Sequence, residues 1–129
     1  MPREPHEGLT RRERQIMDVL FRTGKGTVAD VMEQIPDPPS YSAVRATLRV
    51  LEDKGRVRHQ QDGPRYVYVP AVAPETARHA ALQHIVNTFF DGSADRAVAA
   101  LLQMDDAKIT DGDLARLTAL AKRARDEGR

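Results

Sequence analysis

The stretch Ser40-Tyr41-Ser42-Ala43-Val44-Arg45-Ala46-Thr47-Leu48-Arg49-Val50-Leu51-Glu52-Asp53-Lys54-Gly55 decides the fold, together with its sequel Arg56-Val57-Arg58-His59-Gln60-Gln61-Asp62-Gly63-Pro64-Arg65-Tyr66-Val67-Tyr68-Val69-Pro70. The first part carries a helical period. Ser40 is a good N-cap, and the helix it opens is predicted to run to Lys54. Val44, Leu48 and Leu51 point to one side of it, and Ser42, Arg45, Ala46 and Arg49 to the other. Gly55 is the natural residue just past its end. The period then switches from helical to alternating. Arg56–Gln61 and Arg65–Val69 read as strands, and Asp62-Gly63-Pro64 between them is turn chemistry, so the two form a hairpin.

Working back toward the N-terminus, two short helices precede this unit. Thr10 caps the first, and Glu13 three residues on completes a capping box. Ile16, Met17, Leu20 and Phe21 make its apolar stripe, and Gly24-Lys25-Gly26 stops it. Thr27 with Asp30 opens the second, whose face is Val28, Val31, Met32 and Ile35. Pro36-Asp37-Pro38-Pro39 ends it, because proline cannot continue a helix and restrains the residue before it. Residues 1–8, with two prolines and a glycine, read as a disordered lead-in.

Working forward, the chain turns helical again. Pro74 suits a first turn. Leu82, Ile85, Val86, Phe89 and Phe90 form a stripe that ends at Asp91-Gly92-Ser93. Ser93 caps a helix carrying Ala97, Val98, Leu101 and Leu102. Thr110 with Asp113 caps a last helix carrying Leu114, Leu117, Leu120 and Ala121. The expected class is mostly α with a small β-hairpin wing. The expected organisation is a lead-in (1–8), a winged helix-turn-helix domain (9–72) and a helical dimerisation region of three helices (73–129).

Composition narrows the function classes. The chain has 129 residues, no cysteine and no tryptophan. Without cysteine there is no disulfide, no thiolate metal site and no thiol nucleophile. No HExxH, GxSxG or glycine-rich phosphate loop occurs, so no enzyme is expected and no cofactor. Asp105-Asp106 and Asp111-Gly112-Asp113 lack the intervals of a calcium loop. No apolar run approaches the roughly 20 residues of a membrane span. No secretory signal is visible at the start, so a cytoplasmic protein is the default expectation.

A net charge of +1 hides an uneven distribution. Residues 40–70 hold six Lys and Arg against three Asp and Glu, whereas residues 71–129 hold eight against nine. The excess is small and alone would describe a solvated face. Its position on a recognition helix and a wing gives it meaning. The second helix of a helix-turn-helix enters the DNA major groove. Tyr41, Ser42, Arg45 and Arg49 supply donors there, and Ala43 and Ala46 are small enough for close approach. A bidentate Arg45–guanine contact would supply roughly 1–3 kcal/mol of base discrimination. Ser40 stands at the helix N-terminus, where amides bind phosphate. Arg56 and Arg58 lie near the wing, and Arg65, just past its tip, is the best phosphate contact.

These residues carry a resemblance. Leu9-Thr10-Arg11-Arg12-Glu13-Arg14-Gln15-Ile16-Met17, the helix 40–54 with its closing Leu51-Glu52-Asp53-Lys54-Gly55, the strand Arg65–Pro70 and the joint Phe89-Phe90-Asp91-Gly92-Ser93 stand in the order found in one family. Together they resemble the penicillinase repressor and methicillin-resistance repressor family. The resemblance implies a homodimeric repressor that binds an inverted-repeat operator in double-stranded DNA, in promoters such as those of a β-lactamase and its sensor. It places base contacts at Ser42, Ala43 and Ala46, with Arg45 and Arg49 as additional or phosphate contacts. In the family's best-known members a membrane sensor-protease triggers cleavage at an Asn-Phe bond after the Gly-Ser joint. Here Ala100-Leu101 stand there, which puts that partner and antibiotic induction in question. A copper-responsive branch uses a cysteine-rich motif, which this chain lacks.

Dimerisation also has a physical argument. Three short helices rich in Ala, Leu and Val cannot build a robust core alone. Their stripes, through Ile85, Phe89, Leu101, Leu114, Leu117 and Leu120, are expected to meet a second copy about a two-fold axis, in preference to folding back on the winged domain. Tyr66 and Tyr68 read as sheet packing. Phe89 and Phe90 read as core or interface. His79 and His84, five apart and so roughly 140° around the helix, are poorly placed for a shared metal. His59 reads as a solvated strand residue. The competing function is a winged-helix protein-interaction module without specific DNA binding.

Overall fold

The computed structural model describes residues 5–104 and 106–127; Asp105, at the head of the Asp105-Asp106 pair, and the first four residues of the lead-in lie outside that range. The elements in order are α1 (Arg11–Thr23), α2 (Val28–Gln34), α3 (Tyr41–Asp53), β1 (Val57–Asp62), β2 (Arg65–Pro70), α4 (Pro74–Phe89), α5 (Ala94–Leu102) and α6 (Asp111–Asp126). The fold is mostly helical with one antiparallel hairpin. Two compact units emerge, Met1–Ile85 and Val86–Arg129, and the division falls inside α4.

The helix starts obey their capping chemistry. The hydroxyls of Thr10 and Thr27 accept from the amides of Glu13 and Asp30, whose carboxylates accept in return from the cap amides. Thr110 and Asp113 repeat the arrangement at α6. Ser40 accepts from the Ala43 amide at 3.2 Å and opens α3.

The first unit closes around one core. Ile16, Met17, Val19 and Leu20 of α1 meet Val28, Val31 and Ile35 beside α2, and Val44, Leu48 and Leu51 of α3. Val44, Leu48 and Leu51 are fully buried, so the apolar side of α3 seats it and the opposite side is left to solvent. Phe21 and Met32 pack at the edge of this cluster.

The hairpin pairs Val57 with Pro70 through to Asp62 with Arg65. Asp62 therefore belongs to the ladder, and the loop is only Gly63-Pro64. Gly63 takes a φ of 63°, at the position where a tight hairpin turn requires a left-handed residue. Val57 and Tyr68 anchor the base of the hairpin in the core. Gly26 extends the sheet by a bridge to Tyr68, with its amide and carbonyl both paired, at 3.0 and 2.8 Å. A single bridging residue carries no alternation, so nothing in the sequence marks this bridge. Arg56 is also displaced from its expected place. It precedes β1, and its guanidinium donates to the carbonyls of Pro5 (3.0 Å) and Glu7.

The second unit has a different character. Ala97 is the buried residue of α5, and α6 has none. Val98, Leu101, Leu114, Leu117 and Leu120 are all exposed, and Phe89 is 74% exposed. Of the stripe leading into this unit, Ile85 is exposed too.

Candidate nucleic-acid interface

The interface is built on α3. Burying Val44, Leu48 and Leu51 leaves Tyr41, Ser42, Arg45, Ala46 and Arg49 exposed along the other side. Residues at intervals of three and four share a helix face, so Ser42, Arg45, Ala46 and Arg49 form one stripe. The wing rises beside it and turns the stripe into the floor of a cleft of about 540 Å³. Its far wall is His59, Tyr66 and Tyr68.

A second cleft, of about 380 Å³, lies between α2, the start of α3 and the wing tip. Tyr41 and Arg45 line both clefts, and Arg65 lines only this one, opposite Thr27 and Asp30. The Asp30 carboxyl is held below its usual range, first by the Thr27 amide, then by the Thr27 hydroxyl, and also by the charge of Arg65. The wing cation therefore faces an ionised carboxylate at one margin of the cleft.

Among the residues singled out in the sequence, the structure gathers Tyr41, Ser42, Arg45, Ala46, Arg49 and Arg65 around these two connected depressions. Ser40 lines neither, and its hydroxyl accepts from the Ala43 amide. Ala43 is half-buried and lines neither.

Three features of the wing complete this geometry. Tyr68 is buried, and burial pushes its hydroxyl pKa up, reinforced by the nearby charge of Glu52. Tyr66 stacks on His59 with ring centroids 4.3 Å apart and planes 16° apart. His59 is not simply solvated, because its Nδ1 lies 2.6 Å from Oε2 of Glu52 in the last turn of α3. The register explains the cluster. His59 pairs directly with Tyr68, and Tyr66 is its diagonal neighbour, so all three rings share one face of the hairpin. Alternation in the sequence shows a shared face, but it does not show that the face meets Glu52.

Among the described residues, no group of three or more His, Asp or Glu lies together as a metal site. No helix there is long and apolar enough to cross a membrane.

Residues 9–123 match the model of the penicillinase repressor family. No curated protein sequence matches the chain. Among solved structures, the chain is similar to a crystal structure described as a "possible transcriptional regulator for arsenical resistance". The two are 28% identical over 75% of this chain and 92% of that one, with a TM-score of 0.42.

Proposed function

The chain belongs to the penicillinase repressor family of winged-helix transcriptional regulators, and on that premise we propose that it represses transcription as a homodimer reading an inverted-repeat operator in double-stranded DNA. The observation that carries this reading is the division of α3. Its fully buried side fixes the helix on the scaffold, and its open side presents Ser42, Arg45, Ala46 and Arg49 beside a wing. A recognition helix needs that division to enter a major groove, with donors on the outer side and small residues to allow approach.

In this reading Ser42, Ala46 and Arg45 meet base edges. Tyr41, Arg49 and Arg65 meet phosphates and set the register, and the amides of Tyr41 and Ser42, just behind the Ser40 cap, support a phosphate at the helix start. The exposed apolar stripes of the second unit support the dimer, since a second copy would cover Phe89, Leu101, Leu114, Leu117 and Leu120, and Ile85 with them. The operator is then two half-sites related by the same two-fold axis.

Footprinting on the DNA upstream of the protein's own gene tests the proposal. The expected result is a symmetric protected region, with half-site centres separated by about one helical turn, 10–10.5 base pairs, or a multiple of it. If no segment is protected at concentrations far below those of non-specific binding, the operator-binding reading is wrong. The winged helix would then be a surface for another protein.

A further inference from the structure

We propose that His59 is a positioning residue, which locks the outer wing onto the recognition helix by a hydrogen bond to Glu52 while its ring stacks on Tyr66. The proposal rests on the DNA-binding reading above and deepens it.

The base of the wing is secured by Val57 and Tyr68 in the core and by the Gly26 bridge. Beyond that level Gln60, Gln61, Asp62, Arg65 and Tyr66 are all exposed. An isolated two-stranded hairpin is at best marginal in water, so an outer wing without side-chain anchorage would splay and twist. His59 lies where the anchored base gives way to the exposed tip. A carboxylate only accepts hydrogen bonds, so the 2.6 Å contact requires that Nδ1–H donates to Glu52. The same ring covers Tyr66 at 4.3 Å, which couples β2 to β1 on the side facing α3.

The contact also accounts for an acidic residue on the face meant for DNA. Glu52 lines the same cleft as Arg45 and Arg49. Left bare, its charge would repel phosphates. With His59 donating to it, one carboxylate oxygen is directed at the wing, and the acid becomes a fastening point.

Two variants of the full chain separate the donor from the ring. His59→Phe keeps a ring to stack on Tyr66 but has no donor. His59→Asn places an amide donor near the former Nδ1. The probe is a duplex selected by the wild-type chain from a random pool. Its affinity is measured across a salt series, alongside hydrogen exchange of the amides of Gln60–Gly63, Arg65 and Tyr66 in the free protein.

For His59→Phe the expected loss of affinity is about tenfold, because the loosened wing no longer holds Arg65 against its phosphate in the complex. The salt slope should become shallower by about one unit, as the Arg65 phosphate contact is lost. The wing amides should exchange faster, and His59→Asn should recover most of both effects. Wild-type affinity and slope in His59→Phe, or wing amides that exchange no faster, would overturn the proposal. A wild-type chain that selects no duplex overturns the DNA-binding reading itself, and this proposal with it.

Discussion

Lys54 at the end of α3 places its Nζ 2.8 Å from Oε1 and 3.1 Å from Oε2 of Glu13, which closes the capping box at the start of α1. One carboxylate thus joins the first turn of the first helix to the end of the recognition helix. Its Oε1 also accepts from the Thr10 amide at 2.9 Å. The Glu13 side chain is 6% exposed, so its charge needs these partners. Burial works to raise its pKa, but the hydrogen bonds from Lys54 and Thr10 and the Lys54 charge outweigh it, and the net shift is downward.

The direction of that shift fixes a pH dependence. The folded pKa lies below the ordinary value near 4.5, so the unfolded chain binds this proton more readily. The stabilisation is present above about pH 4.5 and is lost as the pH falls through the lowered folded value. Lys54→Met removes the cation and leaves Glu13 buried beside Thr10. Breaking a fully buried pair costs about 3–5 kcal/mol, but the Lys54 side chain is 38% exposed, so about 1–2 kcal/mol at neutral pH is expected. Urea unfolding at pH 7 and pH 4 checks this. The gap between wild type and variant should narrow in acid, and a constant gap would contradict the assignment.

Core packing gives a second prediction. Leu48 is fully buried on the side of α3 that faces α1 and α2. Leu48→Ala should cost about 2–5 kcal/mol, from lost burial plus a cavity. Arg49→Ala, next in sequence but exposed, should change stability by less than about 0.5 kcal/mol. Thermal unfolding of the two variants side by side distinguishes the seated side of α3 from the open one.

On the open side, Arg45 and Arg65 should fail differently. Arg45 lies on the helix stripe and lines both clefts. Arg45→Ala should lose about 1–3 kcal/mol of binding to a selected duplex and relax preference at one base position in each half-site. Arg65 stands on the wing. Arg65→Ala should weaken binding to all sequences alike and reduce the salt slope by about one. Fluorescence anisotropy with matched and scrambled duplexes over a salt series reads both. Equal losses on both duplexes for Arg45→Ala would remove it from base readout.

The helices and the hairpin were legible because local chemistry specifies them. Three Thr capping boxes, the prolines 36–39 and the strands flanking Gly63-Pro64 each depend on residues a few positions apart. The apolar side of α3 was legible for the same reason, since Val44, Leu48 and Leu51 repeat at the helical period. Contacts between distant residues were not. Glu13 and Lys54 are 41 positions apart, and each already had a sufficient local explanation, as a capping residue and a helix end. Glu52 and His59 belong to different elements with different periods, so no single pattern holds both. Arg56 looked like one more cation on a basic wing. Only the folded chain shows its guanidinium turned to the carbonyls of Pro5 and Glu7.

The dimer proposal makes a prediction that concerns α6. That helix spans 16 residues and buries none of them within the chain. An isolated helix of about this length is marginal in water, because nucleation is costly and propagation gains little per residue. Its capping box and the ion pair between Asp113 and Arg116 add only tenths of a kcal/mol to about 1 kcal/mol each. A persistent α6 therefore needs cover for Leu114, Leu117 and Leu120. If a second copy supplies it, helix content should fall on dilution through the dimer dissociation range. Leu117→Asp should yield monomers at concentrations where the wild type is dimeric, with lower helicity in α6 and an intact first unit. Light scattering and circular dichroism over a dilution series measure this together. A wild-type chain that remains monomeric at micromolar concentration with α6 fully helical would mean that another partner, or the helix alone, supplies what the second copy is proposed to give.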